Sequence, residues 1–315
     1  MKLSTLLTIA ICTLVGCASH KPTAAPSDGG ASQATFASAD AAVQALVEAV
    51  RANDRPRIQQ ILGPGSDDVI NSGDAAADLR AGQQFVAAYD LGHHLVQENN
   101  GSVTLDTGAA DWPFPIPIVK DDKTGQWLFD TSAGREEILN RRIGKNEREA
   151  IQVCQAIMDA EREYAQRNPD ADGVPEYTDR FTSDPGTKDG LYWPTAEGEP
   201  PSPLGPLVGQ AVAEGYGVSS EGPAGPQGYR GYFYRILKSQ GPHALDGARD
   251  YVVDGKLIGG IAVIAWPARY GNSGVMTFIV NHAQVVYQKD LGPDTETAAR
   301  AVTAFDPGTE WAKVE

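Results

Sequence analysis

The stretch whose residue types best suit chemistry is NPDADGVPEYTD, at positions 168–179. It carries side-chain oxygens at Asn168, Asp170 and Asp172, then a glycine, and ends on the carboxylate of Asp179. This spacing matches places 1, 3, 5, 6 and 12 of a twelve-residue calcium loop. The segment also follows a predicted helix, as the loop of an EF-hand does.

Three features of this segment depart from an EF-hand. An uncharged Asn stands at the first place, and a short Asp replaces the long bidentate Glu at the twelfth. Pro175 occupies the eighth place, and the chain contains no second loop of this kind. We therefore expect either one calcium ion, with Glu176 among its ligands, or a helix-stopping Asx turn without metal.

The N-terminus suggests a covalent modification. Lys2 precedes an apolar run, Leu3–Val15, that is too short to span a bilayer and is typical of a secretory signal peptide. The run ends in LVGC, which resembles the lipobox of bacterial lipoproteins. The resemblance implies that Cys17 becomes the mature N-terminus and carries acyl chains, more than one of which makes anchoring stable.

The residue after the cysteine is Ala18 rather than Asp, which resembles lipoproteins sorted to the outer membrane. The expected location is thus the bacterial envelope, facing the periplasm. Ordinary cleavage and a soluble secreted protein is the alternative. If the signal peptide is removed and Cys17 is lipidated, Cys154 is the one free thiol of the mature chain. Its apolar helical surroundings indicate a buried, inert thiol.

No catalytic residue can be assigned from the sequence. HExxH is absent, and His93 and His94 are adjacent, so in a strand they point to opposite faces. GNSG is not the GxSxG of a nucleophile elbow. Two groups in which polar and aromatic residues are close in sequence are candidates for ligand or partner contact, with a structural role as the alternative. Their residues are Lys188, Asp189, Tyr192, Trp193, Trp266 and Arg269.

The composition excludes some partners. The 315 residues carry a formal net charge of −15. Such an acidic chain does not suit nucleic acid or electrostatic adhesion to anionic lipid. The expected contacts are the membrane, through the N-terminal lipid, and an envelope protein partner.

The first half of the chain predicts helices followed by a small sheet. Apolar residues recur at helical spacing after Ser38, a candidate N-cap, and Asn53–Asp54 should divide the stretch into two helices. Another helix is expected near 77–89, followed by short strands. WPFPIPIV alternates proline, which limits it to an edge strand or a polyproline-like ribbon. The pattern is similar to nuclear-transport-factor-like domains, which often form a pocket.

The second half predicts a long helical region followed by an antiparallel sheet. Residues 134–167 have helical periodicity, with a break at Gly144–Asn146 and a capping box from Asn146 to Glu149. Arg141 and Arg142 fit a solvated helix end or a basic contact. A loop-rich stretch, strands and a short final helix should follow. This order is similar to the soluble heads of pilins and pseudopilins.

The expected fold class is α+β. We expect a signal peptide at 1–17, a flexible tether at 18–35, an N-terminal helix-plus-sheet domain at 36–133, and a C-terminal helix-plus-sheet domain at 134–315.

Several long strings, among them DWPFPIPIVK, GREEILNRRIGKNE, DGLYWP and AVIAWPARYGNSGVMTFIVNHAQVVYQKDLGPDT, resemble the bacterial exported family called domain of unknown function 2950. The resemblance spans nearly all of the mature chain and implies export and a shared architecture, without catalytic residues. The expected role is non-catalytic binding or scaffolding in the envelope. The alternative is an envelope hydrolase or small-ligand-binding protein with a pocket in the N-terminal domain or between the domains.

Overall fold

A computed structural model describes residues 32–167, 173–217 and 228–314. It confirms the α+β class, with helices and antiparallel sheets. The helices are α1 (Ala39–Arg51), α2 (Arg55–Leu62), α3 (Asp67–Ile70), α4 (Ala75–Leu91), α5 (Thr131–Arg167), α6 (Gly205–Ala213) and α7 (Thr295–Ala301). The strands are β1 (His93–Gln97), β2 (Val103–Thr107), β3 (Trp112–Pro113), β4 (Ile118–Lys120), β5 (Trp127–Phe129), β6 (Tyr232–Leu237), β7 (Ser239–Gln240), β8 (Arg249–Asp250), β9 (Val252–Val253), β10 (Lys256–Leu257), β11 (Ala262–Pro267), β12 (Met276–Asn281), β13 (Val286–Asp290) and β14 (Ala312–Lys313).

The N-terminal part, residues 32–130, packs α1 and α2 against a sheet of order β1-β2-β4-β5, with β3 paired to β2. Both helices begin where the sequence predicts. Ser38 accepts a hydrogen bond from Ala41 N, and Asp54 accepts one from Arg57 N, so each side chain satisfies a free donor of the first turn. The apolar faces of α1 and α2 meet Leu105 and other sheet residues in one core.

The proline-alternating stretch forms two short strands with a connection between them. Trp112–Pro113 pairs with β2, the chain leaves the sheet, and it rejoins at Ile118–Lys120 between β2 and β5. Proline lacks the N–H that a ladder needs, which accounts for the interruption.

Helix α5 runs unbroken for 37 residues, so the expected break at Gly144–Asn146 is wrong. Asn146 is buried and donates to Ser273 O at 2.9 Å rather than capping a helix. Glu147 accepts from Val275 N and Met276 N, both at 3.0 Å. These contacts fix the helix against the turn after β11. They outweigh the roughly 1 kcal/mol that an interior glycine costs.

The C-terminal part, residues 131–314, contains an antiparallel sheet of order β14-β13-β12-β11-β6. Strand β11, which lies between β12 and β6, is buried along its whole length and packs against α5 and α7. The GNSG residues form a turn between β11 and β12, with Gly271 N bonded to Gly274 O. Helix α6 and strand β14 were not predicted. None of the helices in the described ranges is both long and apolar enough to cross a membrane.

Candidate functional site

The N-terminal part contains a cavity of about 1050 Å³ that is partly open to solvent. Its walls come from α1, α2, α4, α5, the segment around α3 and the turn between β2 and β3. Apolar side chains dominate the lining, and they include Leu46, Val50, Ile58, Ile70, Phe85 and Phe114. The volume is at the upper end of the range of about 300–1,000 Å³ found for small-molecule sites.

Helix α4 forms one wall of this cavity. None of its 17 residues, all within the described ranges, is buried, and Leu79 remains 45% exposed. A helix rich in Ala, Leu, Phe and Val normally buries one face, so the cavity explains why α4 does not. The helix approaches α1 where glycine permits it, since a Cβ on Gly82 would lie 3.2 Å from Val50 Cγ1. Phe85 reaches across to Phe114, with ring centroids 5.2 Å apart.

The first residues of α4 are bound to the C-terminal part. Asp74 is buried and caps α4 by accepting from Ala77 N at 2.8 Å. Its other oxygen accepts from Tyr216 Oη at 2.6 Å and from Gly231 N at 3.1 Å. Arg80, two turns along, donates to Tyr216 Oη at 2.9 Å. The N-terminal end of α4, which we call the pocket helix, is therefore held by a buried polar cluster.

Helix α5 presents a different chemistry to the cavity. Ile138, Arg141, Arg142 and Lys145 all line it, at the i, i+3, i+4 and i+7 spacing that brings residues onto one helical face. We call Arg141, Arg142 and Lys145 the cationic stripe. The stripe places three positive charges along one wall of a mostly apolar pocket.

Arg142 is the most enclosed member of the stripe. Its guanidinium donates to Asp68 O at 2.7 Å, to Asn272 Oδ1 at 2.8 Å and to Val69 O. All three acceptors are uncharged, and no carboxylate of the described residues lies within ion-pair distance. Burial lowers the pKa of Arg142, while the carboxylates of Asp78 and Asp68 raise it from a longer range. The positive charge is thus partly desolvated and lacks a direct counter-charge.

Apart from Lys145, the other charged lining residues form ion pairs. Arg51 lies 2.6 Å from Asp90, and Arg55 lies 3.6 Å from Asp78. Arg141 pairs with Glu137 outside the lining. The lining contains five cations and two carboxylates, whereas the chain has 26 Lys and Arg against 41 Asp and Glu. The pocket is a cationic region of an acidic protein.

The expected calcium loop is only partly described. Asn168, Asp170 and Asp172 lie outside the described residues. Glu176 is half-buried, and Asp179 is exposed and engages Lys238 Nζ at 3.1 Å. Within the described ranges no three His, Cys, Asp or Glu residues form a group suited to a metal. The calcium site therefore stays a prediction.

The two candidate contact groups lie in separate segments of the chain, and their residues make structural contacts. Asp189 accepts from Arg180 at 2.8 Å and from Asp184 N at 3.0 Å, which closes its own loop. Lys188 Nζ lies 5.5 Å from the ring centroid of buried Trp193. Tyr192 is half-buried, with its main chain bonded to Phe181 and Ser183.

In the second group, Trp266 lies in β11 within the C-terminal core, whereas Arg269 follows β11 and contacts the segment around α3. Trp266 is 3% exposed within the core, and the guanidinium carbon of Arg300 lies 5.7 Å from its ring centroid. Arg269 donates to Asn71 O at 2.6 Å and approaches Asp68 Oδ1 at 3.4 Å. None of the hydrogen bonds, ion pairs or ring contacts of the described residues joins this group to the Lys188 group.

Cys154, which lies within the described residues, does not line the pocket. Cys17 lies outside the described residues, so its lipidation stays a prediction. Cys154 is fully buried in the C-terminal core, and burial raises the pKa of its thiol to about 12. This matches the inert thiol that its apolar surroundings predict.

A pocket in the N-terminal domain entered the sequence analysis only as part of the alternative function, and neither its lining residues nor the cationic stripe were assigned. Arg141 and Arg142 fitted a solvated helix end or a basic contact because a break was expected two residues later. The stripe's signal was the spacing from Ile138 to Lys145, which becomes readable once α5 is treated as continuous. The cavity itself has no local sequence signal, since it depends on how several helices and the turn between β2 and β3 pack together.

Comparison with known proteins gives a family but no described function. No curated protein and no solved structure matches the chain. The likenesses to nuclear-transport-factor-like domains and pilin heads therefore stay predictions. One family model, described as a protein of unknown function (DUF2950), matches residues 33–314. The match covers most of the sequence and agrees with the resemblance of its long strings. The chain belongs to the DUF2950 family.

Proposed function

We propose that this protein binds an apolar small molecule in the pocket of its N-terminal part, as a non-catalytic component of the bacterial envelope. The observation that carries the proposal is the apolar cavity of about 1050 Å³ beside α4, a helix without one buried residue. A ligand would cover apolar surface that the fold leaves in contact with water, which is the main favourable contribution to such binding.

The pocket favours binding over the other roles considered. Its two carboxylates are paired with arginines, and its lining has no histidine or cysteine among the described residues, so acid–base chemistry has few groups to use. A scaffolding partner would require an apolar surface shaped for a protein, whereas this apolar feature is concave.

The proposed location is the envelope, through acylation of Cys17. The support is the signal-like N-terminus and its LVGC tetrapeptide. A membrane-anchored protein has single-chain amphiphiles and other apolar molecules within reach, which suits an apolar pocket.

Binding can be tested with N-phenyl-1-naphthylamine, a neutral dye that fluoresces in apolar surroundings. We expect saturable binding with one site per chain. Val86→Trp should weaken it about tenfold or more, because Val86 lines the cavity and a tryptophan there occupies ligand volume.

Ala75→Trp is the matched control, because Ala75 is exposed on the same helix and does not line the cavity. This variant should bind as the wild type does. Absence of saturable binding by the wild type, or equal binding by Val86→Trp, would show that the pocket is not a ligand site.

A further inference from the structure

The lining of the pocket contains a cation, Arg142, that forms no ion pair among the described residues. Arg142 is partly buried, and its three acceptors are two main-chain carbonyls and the amide of Asn272. A buried charge is normally paired, because desolvation without a counter-charge is costly. Because Arg142 lies on the pocket wall, a ligand bound in the pocket can supply that counter-charge.

The Arg142 guanidinium has hydrogen-bond donors that its contacts do not use. It carries five N–H groups, and its contacts use two on Nη1 and one on Nη2. One N–H on Nε and one on Nη2 have no partner among the described residues. A carboxylate or phosphate accepts such donors in charge-assisted hydrogen bonds, which are stronger than those to neutral groups.

Neighbouring charges favour the same ligand. Lys145 lies one turn from Arg142 on the cationic stripe and has no ion pair within the described ranges. Both carboxylates of the lining are already paired, so they add little repulsion. The rest of the lining is mostly apolar, which suits a hydrocarbon chain.

From this geometry we infer that the ligand is a single-chain amphiphile with an anionic head, bound with the head at Arg142 and the chain along the apolar wall under α4. The inference rests on the proposed function and specifies its ligand class. It also gives the cationic stripe a role that the fold alone does not require.

The test compares ligands of one chain length. Dodecanoate, monododecyl phosphate and 1-dodecanol are each titrated against dye-loaded protein, with acetate as a head group without a chain. We expect at least one anionic amphiphile to displace the dye about tenfold more tightly than the alcohol. Acetate should not displace it.

The head-group site is tested with Arg142→Met, which should remove the preference, measured as the ratio of the affinities for the anionic amphiphiles and for 1-dodecanol within the same variant. Arg148→Met is the control, because Arg148 is exposed on the same helix and does not line the cavity. If Arg142→Met does not fold, the head-group inference is tested with Lys145→Met and with the ligand comparison in the wild type. Lys145→Met should reduce the preference severalfold.

The outcomes separate the two proposals. If the wild type binds the alcohol and both anionic amphiphiles with equal affinity, the head-group inference is overturned, but the proposed binding of apolar molecules in the pocket is not. A preference that survives Arg142→Met in folded protein would overturn it too. Failure of the dye and all amphiphiles to bind would reject the proposed function itself.

Discussion

Tyr216 donates a hydrogen bond of 2.6 Å to Asp74, joining the residue that caps the pocket helix to the segment after α6. The two residues are 142 positions apart. Asp74 also binds Gly231 N and the first turn of α4, so one carboxylate fixes the start of α4 against the C-terminal core. The wall of the N-terminal pocket therefore depends on contacts made by the C-terminal part.

Tyr216→Phe should lower the free energy of unfolding by about 1–3 kcal/mol, because a buried acceptor loses a donor. The ring contact with Tyr229, at 4.8 Å between centroids, should remain. Urea denaturation measures the change. Tyr270→Phe removes a hydroxyl–carboxylate bond to Asp290 that is exposed, and it should cost less than about 0.5 kcal/mol. Equal losses in the two variants would contradict a special role for the buried pair.

Glu161 should make stability fall as pH rises. Its side chain is fully buried, with Oε2 accepting from Thr178 N at 3.2 Å and Oε1 unpartnered among the described residues. Burial raises the pKa of Glu161 well above its usual range, with Asp179 adding to the effect and the Thr178 bond opposing it. The folded state therefore holds a proton that the unfolded state releases above about pH 4.3. The resulting loss is at most about 1.4 kcal/mol per pH unit.

Glu161→Gln imitates the protonated side chain and should remove this dependence. The stability of the variant relative to wild type should increase between pH 4 and pH 8, as measured by urea denaturation at several pH values. Glu136→Gln is the control, because Glu136 is exposed on the same helix. A stability difference that does not change with pH would mean that Glu161 is ionised in the folded protein.

Lipidation of Cys17 can be tested in cells with an alkyne-tagged acyl precursor. The wild type should be labelled and Cys17→Ala should not, because the thiol is the acylation site that the lipobox implies. Cys154→Ala should keep its label, since Cys154 is buried in the folded core. Unchanged labelling of Cys17→Ala would reject the anchor.

Calcium binding at 168–179 should be of extracellular strength, with a Kd on the order of 10⁻⁴–10⁻³ M. Calorimetric titration of the mature protein measures it, and Asp170→Asn should weaken it, whereas Asp122→Asn, at an exposed carboxylate elsewhere, should not. The ion pair with Lys238 opposes use of Asp179 as a ligand. Absence of binding up to millimolar calcium would leave the Asx turn as the explanation of the segment.

Local sequence signals predicted local structure. Ser38 and Asp54 cap their helices because an N-cap needs only a side chain and the first turn beside it. The α+β class followed from the order of helical and strand-like stretches.

Features that depend on distant contacts were not predictable in this way. The predicted helix break at Gly144 was wrong because Asn146 and Glu147 bind the turn after β11, more than 120 residues away. The pocket exists only when α4 and α5 are placed correctly. The same placement puts Arg142 on the pocket wall. A sequence pattern gives the face of a helix but not what that face meets.

Two glycines of α5 offer a test of this distinction between local and distant effects. A Cβ on Gly144 would meet only Arg148 Nη1, at 3.6 Å, which is ordinary contact. A Cβ on Gly134 would lie 2.7 Å from Ile116 Cα, and main-chain atoms cannot move aside cheaply. Gly144→Ala should therefore stabilise the protein by about 0.5–1 kcal/mol through helix propensity.

Gly134→Ala should instead destabilise the protein by about 1–3 kcal/mol, because the methyl group overpacks the contact between α5 and the segment before β4. Chemical denaturation of both variants measures the two signs under one condition. Because Pro115 of that segment lines the pocket, Gly134→Ala should also weaken binding of the neutral dye, whereas Gly144→Ala should not. Stabilisation by both substitutions would show that α5 does not pack this closely against Ile116.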